Sequence, residues 1–106
     1  MDNSYKIQKL KDDYKRNLLE KSAIISELLL MISADAPNSD AGISDVNLNE
    51  IHQYLHKLAG SSGMYGYPEI AQLSRSAMQS SDRKAIQLLV EQLSELRDLL
   101  RQSSLA

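Results

Sequence analysis

The chain has 106 residues, which is enough for one domain with a modest core and too few for two. It contains no cysteine, and this excludes disulfides, thiolate zinc sites and cysteine nucleophiles. Twelve basic and fourteen acidic residues give a formal charge of −2 without a long basic run, and no long apolar run occurs, so we expect a soluble, cytoplasmic protein that binds neither nucleic acid nor membranes.

The first third of the chain predicts helix, because residues 2–36 contain neither proline nor glycine. Apolar residues recur through it at helical spacing, at Ile7, Leu10, Tyr14, Leu18, Ile25, Leu28 and Ile32. The pattern is compatible with one long helix or with two helices joined near residues 17–22. Breaking and capping residues then concentrate over residues 36–46, where we expect an exposed loop.

A second helix is predicted from about Asn47, because Asn47 and Glu50 have the spacing of a capping box. Its apolar stripe is Leu48, Ile51, Leu55, Leu58 and Ser62. At about 100° per residue, His56 lies roughly 120° from the centre of this stripe. We therefore expect the His56 side chain to face solvent.

Two more helices follow. Pro68 suits the first turn of a short third helix. The last helix has a stripe at Ile86, Leu89, Leu93, Leu96 and Leu100. We expect its tail to fray from Gln102. The predicted fold is all-α, an up-and-down four-helix bundle in which residues 1–106 form one domain, with an extra or kinked N-terminal helix as a variant.

Reactive chemistry and an accessible backbone coincide in one place, where Gly60 and Gly63 follow His56 on the same helix face. A glycine inside a helix costs roughly 1 kcal/mol relative to alanine, which indicates that something approaches the backbone closely. On periodicity alone, an exposed histidine is more often an ordinary polar surface residue. Met64, beside the glycines, is a candidate contact residue for a partner protein.

Other sites are disfavoured by their spacing. His52 and His56 are four residues apart, as in some metal sites, but no third ligand is evident, so we predict no metal. His52 lies nearer the apolar stripe and is better explained by packing or hydrogen bonding. No phosphate-binding glycine loop or hydrolase elbow occurs, and Ser61 and Ser62 point away from His56. Ser62 falls on the core stripe.

The segment HKLAGSSGMYG, residues 56–66, resembles the signature of the histidine phosphotransfer (Hpt) domain. The matching residues are His56, Leu58, Gly60, Ser61, Ser62 and Gly66, and the IAQLS run resembles the family's next helix. The resemblance implies a helical bundle whose exposed histidine, here His56, accepts a phosphoryl group from a receiver-domain aspartate and donates it to another receiver. It implies no ATP site and no cofactor in this chain, with Mg²⁺ carried by the receiver.

The resemblance also suggests supporting residues and shows two departures. Lys57, Gly60, Gly63 and Arg75 are the expected supporting residues, and His52 and Met64 are expected partner contacts. Where the family has lysine three residues after the histidine, this chain has Ala59. Where the family has glutamine or glutamate on the following helix to hold the imidazole, the corresponding positions are Arg75 and Met78.

The expected partners are response-regulator receiver domains and a hybrid histidine kinase, and the expected state is a monomer. One alternative is a helical adaptor that binds a receiver or kinase without carrying phosphate. Another is a structural bundle that associates through its long first helix. Autokinase activity is disfavoured because 106 residues leave no room for an ATP-binding domain. The opening methionine favours a free-standing protein over an excised domain.

Overall fold

Five α-helices account for nearly all of the residues that the computed structural model describes, which are 3–35, 44–79 and 86–105. The helices are α1 (Ser4–Arg16), α2 (Leu18–Asp35), α3 (Asp45–Met64), α4 (Pro68–Gln79) and α5 (Ile86–Leu105). These described ranges contain no strand, and none of their helices is long and apolar enough to cross a membrane. The predicted all-α class is confirmed.

Helices α2 to α5 form the bundle. α2 packs along α5, α3 packs along α4, and α4 also contacts α5. Fully buried aliphatic side chains from all four helices fill the core: Leu18, Ile25, Ile32, Ile51, Leu55, Ile70, Leu89, Leu93, Leu96 and Leu100. Each such side chain contributes about 1.5–3 kcal/mol when it leaves water. The apolar stripes predicted for these helices are therefore the ones that hold the bundle together.

The first helical segment is divided at Asn17, as in the two-helix variant of the prediction. The Asn17 amide lies 3.2 Å from the Asp13 carbonyl oxygen and 3.1 Å from that of Tyr14, so it is shared between them. The Lys21 amide then bonds the Asn17 carbonyl at 3.0 Å, and helix resumes. A single residue thus redirects the chain without unpairing its backbone.

The predicted continuation of the core stripe into α1 is wrong for Ile7 and Leu10, which are 53% and 52% exposed. Their periodicity is helical, but none of the described helices buries them. The molecule is 59 Å long and only 21 × 19 Å across. A helix of the length of α5 spans about 30 Å, so α1 projects beyond the end of the bundle. Only Tyr14, in its last turn, is buried.

Helix α3, which corresponds to the second helix predicted from the sequence, begins at Asp45, two residues earlier than predicted. The N-cap is Ser44, whose side chain accepts a hydrogen bond from the Asn47 amide at 3.3 Å, so Asn47 is not the cap. The expected loop over residues 36–46 is therefore too long, because Asp45 and Val46 form the first turn of α3. Residues 36–43 of that loop lie outside the described part of the chain.

Gly66 ends α3 through a Schellman motif. Its φ of +88° is in the left-handed region that glycine adopts without strain. The Tyr67 amide bonds the Ser62 carbonyl at 2.8 Å, and the Gly66 amide bonds the Gly63 carbonyl at 3.4 Å. Pro68 then starts α4 as predicted.

The expected fraying of the C-terminal tail from Gln102 is wrong, because α5 continues to Leu105. Leu100, one turn before the end, is fully buried and anchors the last turns. The Ser104 hydroxyl also donates to the Arg101 carbonyl at 2.6 Å.

Candidate functional site

The exposed face of α3 carries His56, as its helical phase predicts. The histidine is exposed, whereas Leu55 and Leu58 on the opposite side are buried. Gly60, one turn further on, is exposed too, and a Cβ added there would meet nothing within 4 Å. Beside the imidazole, the helix backbone at Gly60 is therefore accessible to a partner.

The imidazole of His56 is not held by its surroundings. Within the part of the chain that the structure describes, no hydrogen bond or ion pair restrains this ring. His52, one turn earlier, is partly buried and does take part in an interaction. The two histidines thus differ: the exposed His56 ring has no hydrogen-bond or ion-pair partner among the described residues, whereas the partly buried His52 takes part in an interaction.

Gly63 and Ala59 lie where α3 meets its neighbours. A Cβ on Gly63 would sit 3.9 Å from the Ala71 Cβ of α4, an ordinary contact distance, so Gly63 marks the approach of the two helices. Ala59 is only 6% exposed. A small residue therefore suits position 59, and the nearest cation along α3 is Lys57, which is exposed about 100° around the helix from His56.

The predicted site residues separate into groups. His56, Lys57, Gly60 and Met64 share the exposed side of α3, and Met64 is 76% exposed. Arg75 is exposed on the neighbouring helix α4, and no hydrogen bond or ion pair among the described residues joins it to His56. The first four residues thus share one helix face, and Arg75 belongs to the adjacent helix.

Tyr14 joins α1 to the end of α3, a link that the sequence pattern does not reveal. Its hydroxyl lies 2.8 Å from both the Ser61 and the Ser62 Oγ. Because the Ser61 hydroxyl donates to the Leu58 carbonyl at 3.3 Å, one arrangement satisfies every group: Ser62 donates to Tyr14, and Tyr14 donates to Ser61. The chain of bonds reaches α3 directly after Gly60.

Aromatic rings surround the same hydroxyl network. The Tyr14 ring stacks on Tyr65 with centroids 4.6 Å apart and on Tyr67 at 5.8 Å. The Lys21 ammonium lies 4.7 Å from the Tyr14 ring centroid, within cation–π range. Tyr14 was predicted as a core residue from its spacing, and its burial confirms that. Its contacts with Ser61, Ser62, Tyr65 and Tyr67, which lie 47 to 53 residues away, cannot be predicted from local periodicity.

A cleft of about 350 Å³ separates the start of α2 from α3. Its lining residues are Asn17, Glu20, Lys21, Ile24, Tyr54, Lys57, Leu58 and Ser61. Burial, together with smaller effects of the nearby Tyr14 and Glu20, raises the pKa of Tyr54 to about 12. Tyr54 therefore keeps its proton at physiological pH, and Lys57 extends the cleft towards the His56 face.

The chemistry available on this face is that of an accessible nitrogen nucleophile. An imidazole in its neutral form has a lone pair that can attack phosphorus or carbon, and the open Gly60 backbone admits a protein surface to it. The described residues contain no group of three or more acidic or histidine side chains that could hold a metal ion.

Comparison with known proteins gives one match. The family model for the Hpt domain matches residues 9–104, nearly the whole chain. No curated protein and no solved structure matches. The family match covers the His56 face together with the four bundle helices.

Proposed function

This chain belongs to the Hpt domain family, whose general role is histidine phosphotransfer in phosphorelays, and from that premise we propose that His56 is its phosphoryl carrier. His56 accepts the group from the aspartyl phosphate of one receiver domain and passes it to the aspartate of another. A hybrid histidine kinase is a natural source of the first receiver. The observation that supports this most directly is the exposed imidazole beside the open backbone of Gly60.

The reaction needs little from this chain beyond position. The unprotonated ring nitrogen of His56 attacks phosphorus, an N–P bond forms, and the P–O bond to the receiver aspartate breaks with departure of its carboxylate. The reverse steps load the second receiver. Phosphoryl transfer depends mainly on alignment and on charge neutralisation, so a Mg²⁺ ion held by the receiver supplies what this surface lacks.

The neighbouring residues have supporting roles in this proposal. The Lys57 ammonium neutralises phosphate charge from the exposed side of α3, in place of the lysine that Ala59 replaces. Exposed Met64 contributes apolar contact area to the receiver. Gly60 and Gly63 have no side chains, so the receiver can come close to the backbone of α3. His52 and Arg75 lie at the margin of the footprint, where Arg75 adds positive charge that attracts an acidic receiver face.

Phosphotransfer to the His56→Gln variant tests the proposal. Wild-type protein incubated with a phosphorylated cognate receiver should acquire acid-labile phosphate, and His56→Gln should acquire none. His52→Gln is the matched control, because it removes the other histidine of the same helix. Since His52 lies only at the margin of the proposed footprint, its loss can weaken receiver binding but should leave the final level of acid-labile phosphate unchanged.

Two outcomes would contradict the assignment. Equal labelling of wild type and His56→Gln would exclude His56 as the acceptor. Tight receiver binding by a wild-type protein that no receiver phosphorylates would instead support the alternative function, a helical adaptor that carries no phosphate.

A further inference from the structure

The first three turns of the projecting helix α1 are not buried against any other described part of the chain. The side chains of residues 3–12 are all exposed. They include Tyr5 at 77%, besides the half-exposed Ile7 and Leu10. An amphipathic helix with an uncovered apolar stripe is rarely stable in water alone, which indicates that another surface covers it.

The charge of α1 is opposite to that of the rest of the molecule. α1 contains five basic and two acidic residues, a charge of +3, so the remaining chain carries −5 of the total of −2. Within its exposed part, residues 4–12, the charged side chains are Lys6, Lys9, Lys11 and Asp12, a charge of +2, and the Asp12 carboxylate accepts a hydrogen bond from Gln8 at 3.0 Å. Asp13 lies in the last turn beside the bundle and is paired with Arg16.

A complementary stripe runs along the outer side of α5. Glu91, Glu95 and Asp98 are exposed at spacings of four and three residues, so they share one face opposite the buried leucines. Exposed Leu88 and Leu105 lie at the two ends of this stripe. Arg97 and Arg101 flank this stripe, and the Arg97 guanidinium lies 3.4 Å from the Asp98 carboxylate. The stripe therefore combines negative charge with apolar ends.

We propose that α1 of one molecule docks on the α5 stripe of a second copy, in a twofold dimer whose bundles meet end to end. The Tyr14 hydroxyl contacts Ser61 and Ser62, so α3 ends where α1 projects. α5 also contacts α1, and the dimer places the C-terminal end of α5 on that side. In such a dimer α1 lies parallel to the partner copy's α5. The contact occurs twice, once for each copy, as twofold symmetry requires.

The register of the two stripes is compatible with this arrangement. Lys6 and Lys9 are three residues apart, as are Glu95 and Asp98, so two lysines of one copy can pair with two carboxylates of the other. The 13 residues of α1 span about 20 Å, which matches the last 13 residues of α5. Alignment of Lys6 with Glu95 brings the buried Tyr14 level with the end of the second copy's α5.

Anionic membranes are the other surface that a basic amphipathic helix could bind. The second copy is favoured because α5 offers carboxylates at the spacing of the lysines, whereas α1 has only Ile7 and Leu10 to insert between its lysines. The dimer differs from the monomer expected from the sequence. It also leaves the His56 face uncovered, because α1 docks on α5, whereas His56 lies on the exposed side of α3.

Sedimentation equilibrium of the full chain tests the dimer. Wild type should rise from its chain mass of 11.9 kDa towards twice that value as its concentration increases. The dissociation constant should increase at least about tenfold between about 0.01 M and about 1 M salt, as the Debye length falls from about 30 Å to about 3 Å. A constant monomer mass at low salt and high concentration would overturn the proposal.

Charge exchange makes the test specific. Lys6→Glu with Lys9→Glu, and separately Glu95→Lys with Asp98→Lys, should each give a monomer, because both contacts of the homodimer then oppose like charges. An equimolar mixture of the two variants should restore the dimer, since both of its contacts again join opposite charges. Failure of the mixture to associate, with both variants folded by circular dichroism, would refute the α1–α5 contact.

Two further readouts separate this proposal from its alternatives. Wild type that stays monomeric but sediments with phosphatidylserine vesicles, and not with phosphatidylcholine vesicles, would assign α1 to membranes instead. Phosphate uptake by His56 should be unchanged in both charge-exchange variants. The dimer and the phosphoryl carrier can therefore each be contradicted without the other.

Discussion

At the scale of single residues, Gly60 is a position where fold stability and the proposed reaction have opposite requirements. Its exposed helical site would accept a side chain, since an added Cβ meets nothing within 4 Å. Glycine there costs the helix roughly 0.5–1 kcal/mol relative to alanine. The open surface that results is the one a receiver needs to reach His56.

Gly60→Leu should therefore stabilise the protein slightly while it blocks phosphotransfer. We expect a higher unfolding midpoint in urea and a loss of receiver-dependent labelling of at least about tenfold, because the leucine occupies the docking surface. Ala23→Leu, at an exposed position of α2, is the control and should leave labelling unchanged. Normal labelling of Gly60→Leu would show that close approach to the backbone is not required.

Tyr14→Phe should destabilise the protein by about 1–3 kcal/mol, because it leaves the buried Ser62 hydroxyl without its partner while the ring contacts remain. Ser62→Ala added to Tyr14→Phe should recover part of that loss, since the orphaned polar group is then removed. Urea unfolding of the two single variants and the double variant measures the coupling. Strict additivity would show that the 2.8 Å contact contributes nothing.

The Tyr14 network shows where sequence analysis stops at this scale. Helical periodicity places Tyr14 and Ser62 on buried sides, and both are buried. It cannot pair them, because the hydrogen bond joins residues 48 positions apart, and that pairing depends on how α1 meets the end of α3. Exposure of His56 was predictable for the opposite reason: it depends on the phase of one helix alone.

At the scale of helices, the first and last residues of a helix are harder to predict than the side chains that its central turns bury. Apolar spacing predicted the buried stripes of α3 and α5, because burial against a neighbouring helix produces that spacing. Ser44, by contrast, caps α3 three residues before the predicted start at Asn47, since both Ser44 and Asn47 are good capping residues and only the backbone path selects between them. The Gly66 turn follows directly from the freedom of glycine at positive φ.

Ser44→Ala should cost about 1 kcal/mol of stability by removing the side-chain acceptor for the Asn47 amide. Ser44→Asp is the matched variant, since its carboxylate can accept the same bond and also interacts favourably with the helix N-terminus. Thermal unfolding followed by circular dichroism should place Ser44→Asp at or above wild type. If Ser44→Ala were as stable as wild type, the cap would have no energetic role.

At the scale of the whole molecule, the stability of the bundle and the projection of α1 are separable. Among the described residues, deletion of residues 1–11 removes exposed side chains only, so the unfolding free energy of the monomer, measured at low protein concentration, should change by less than about 0.5 kcal/mol. Deletion of residues 1–14 also removes buried Tyr14 and should cost about 3 kcal/mol. Equal unfolding midpoints for the two deletions would show that Tyr14 does not anchor the bundle.

The four-helix architecture could be predicted because each bundle helix has its own apolar stripe. The projection of α1 could not, because Ile7 and Leu10 have the same spacing as buried residues further along. Periodicity predicts that a helix has an apolar side, but it does not predict which helix or which other molecule packs against that side. The difference between Ile7 and Ile25 is thus one of tertiary placement alone.

The unrestrained imidazole of His56 has a consequence for how the chain would select its partners. A ring that no described neighbour holds samples several rotamers, and fixing one of them costs about 0.5–1.5 kcal/mol at the moment of encounter. In the proposed transfer, the receiver would therefore have to orient the imidazole of His56 as well as supply the metal. A carrier of this kind binds each receiver more weakly, but it tolerates receivers that present their aspartates at different angles. Its choice of partner would then be decided by the receiver's geometry more than by its own.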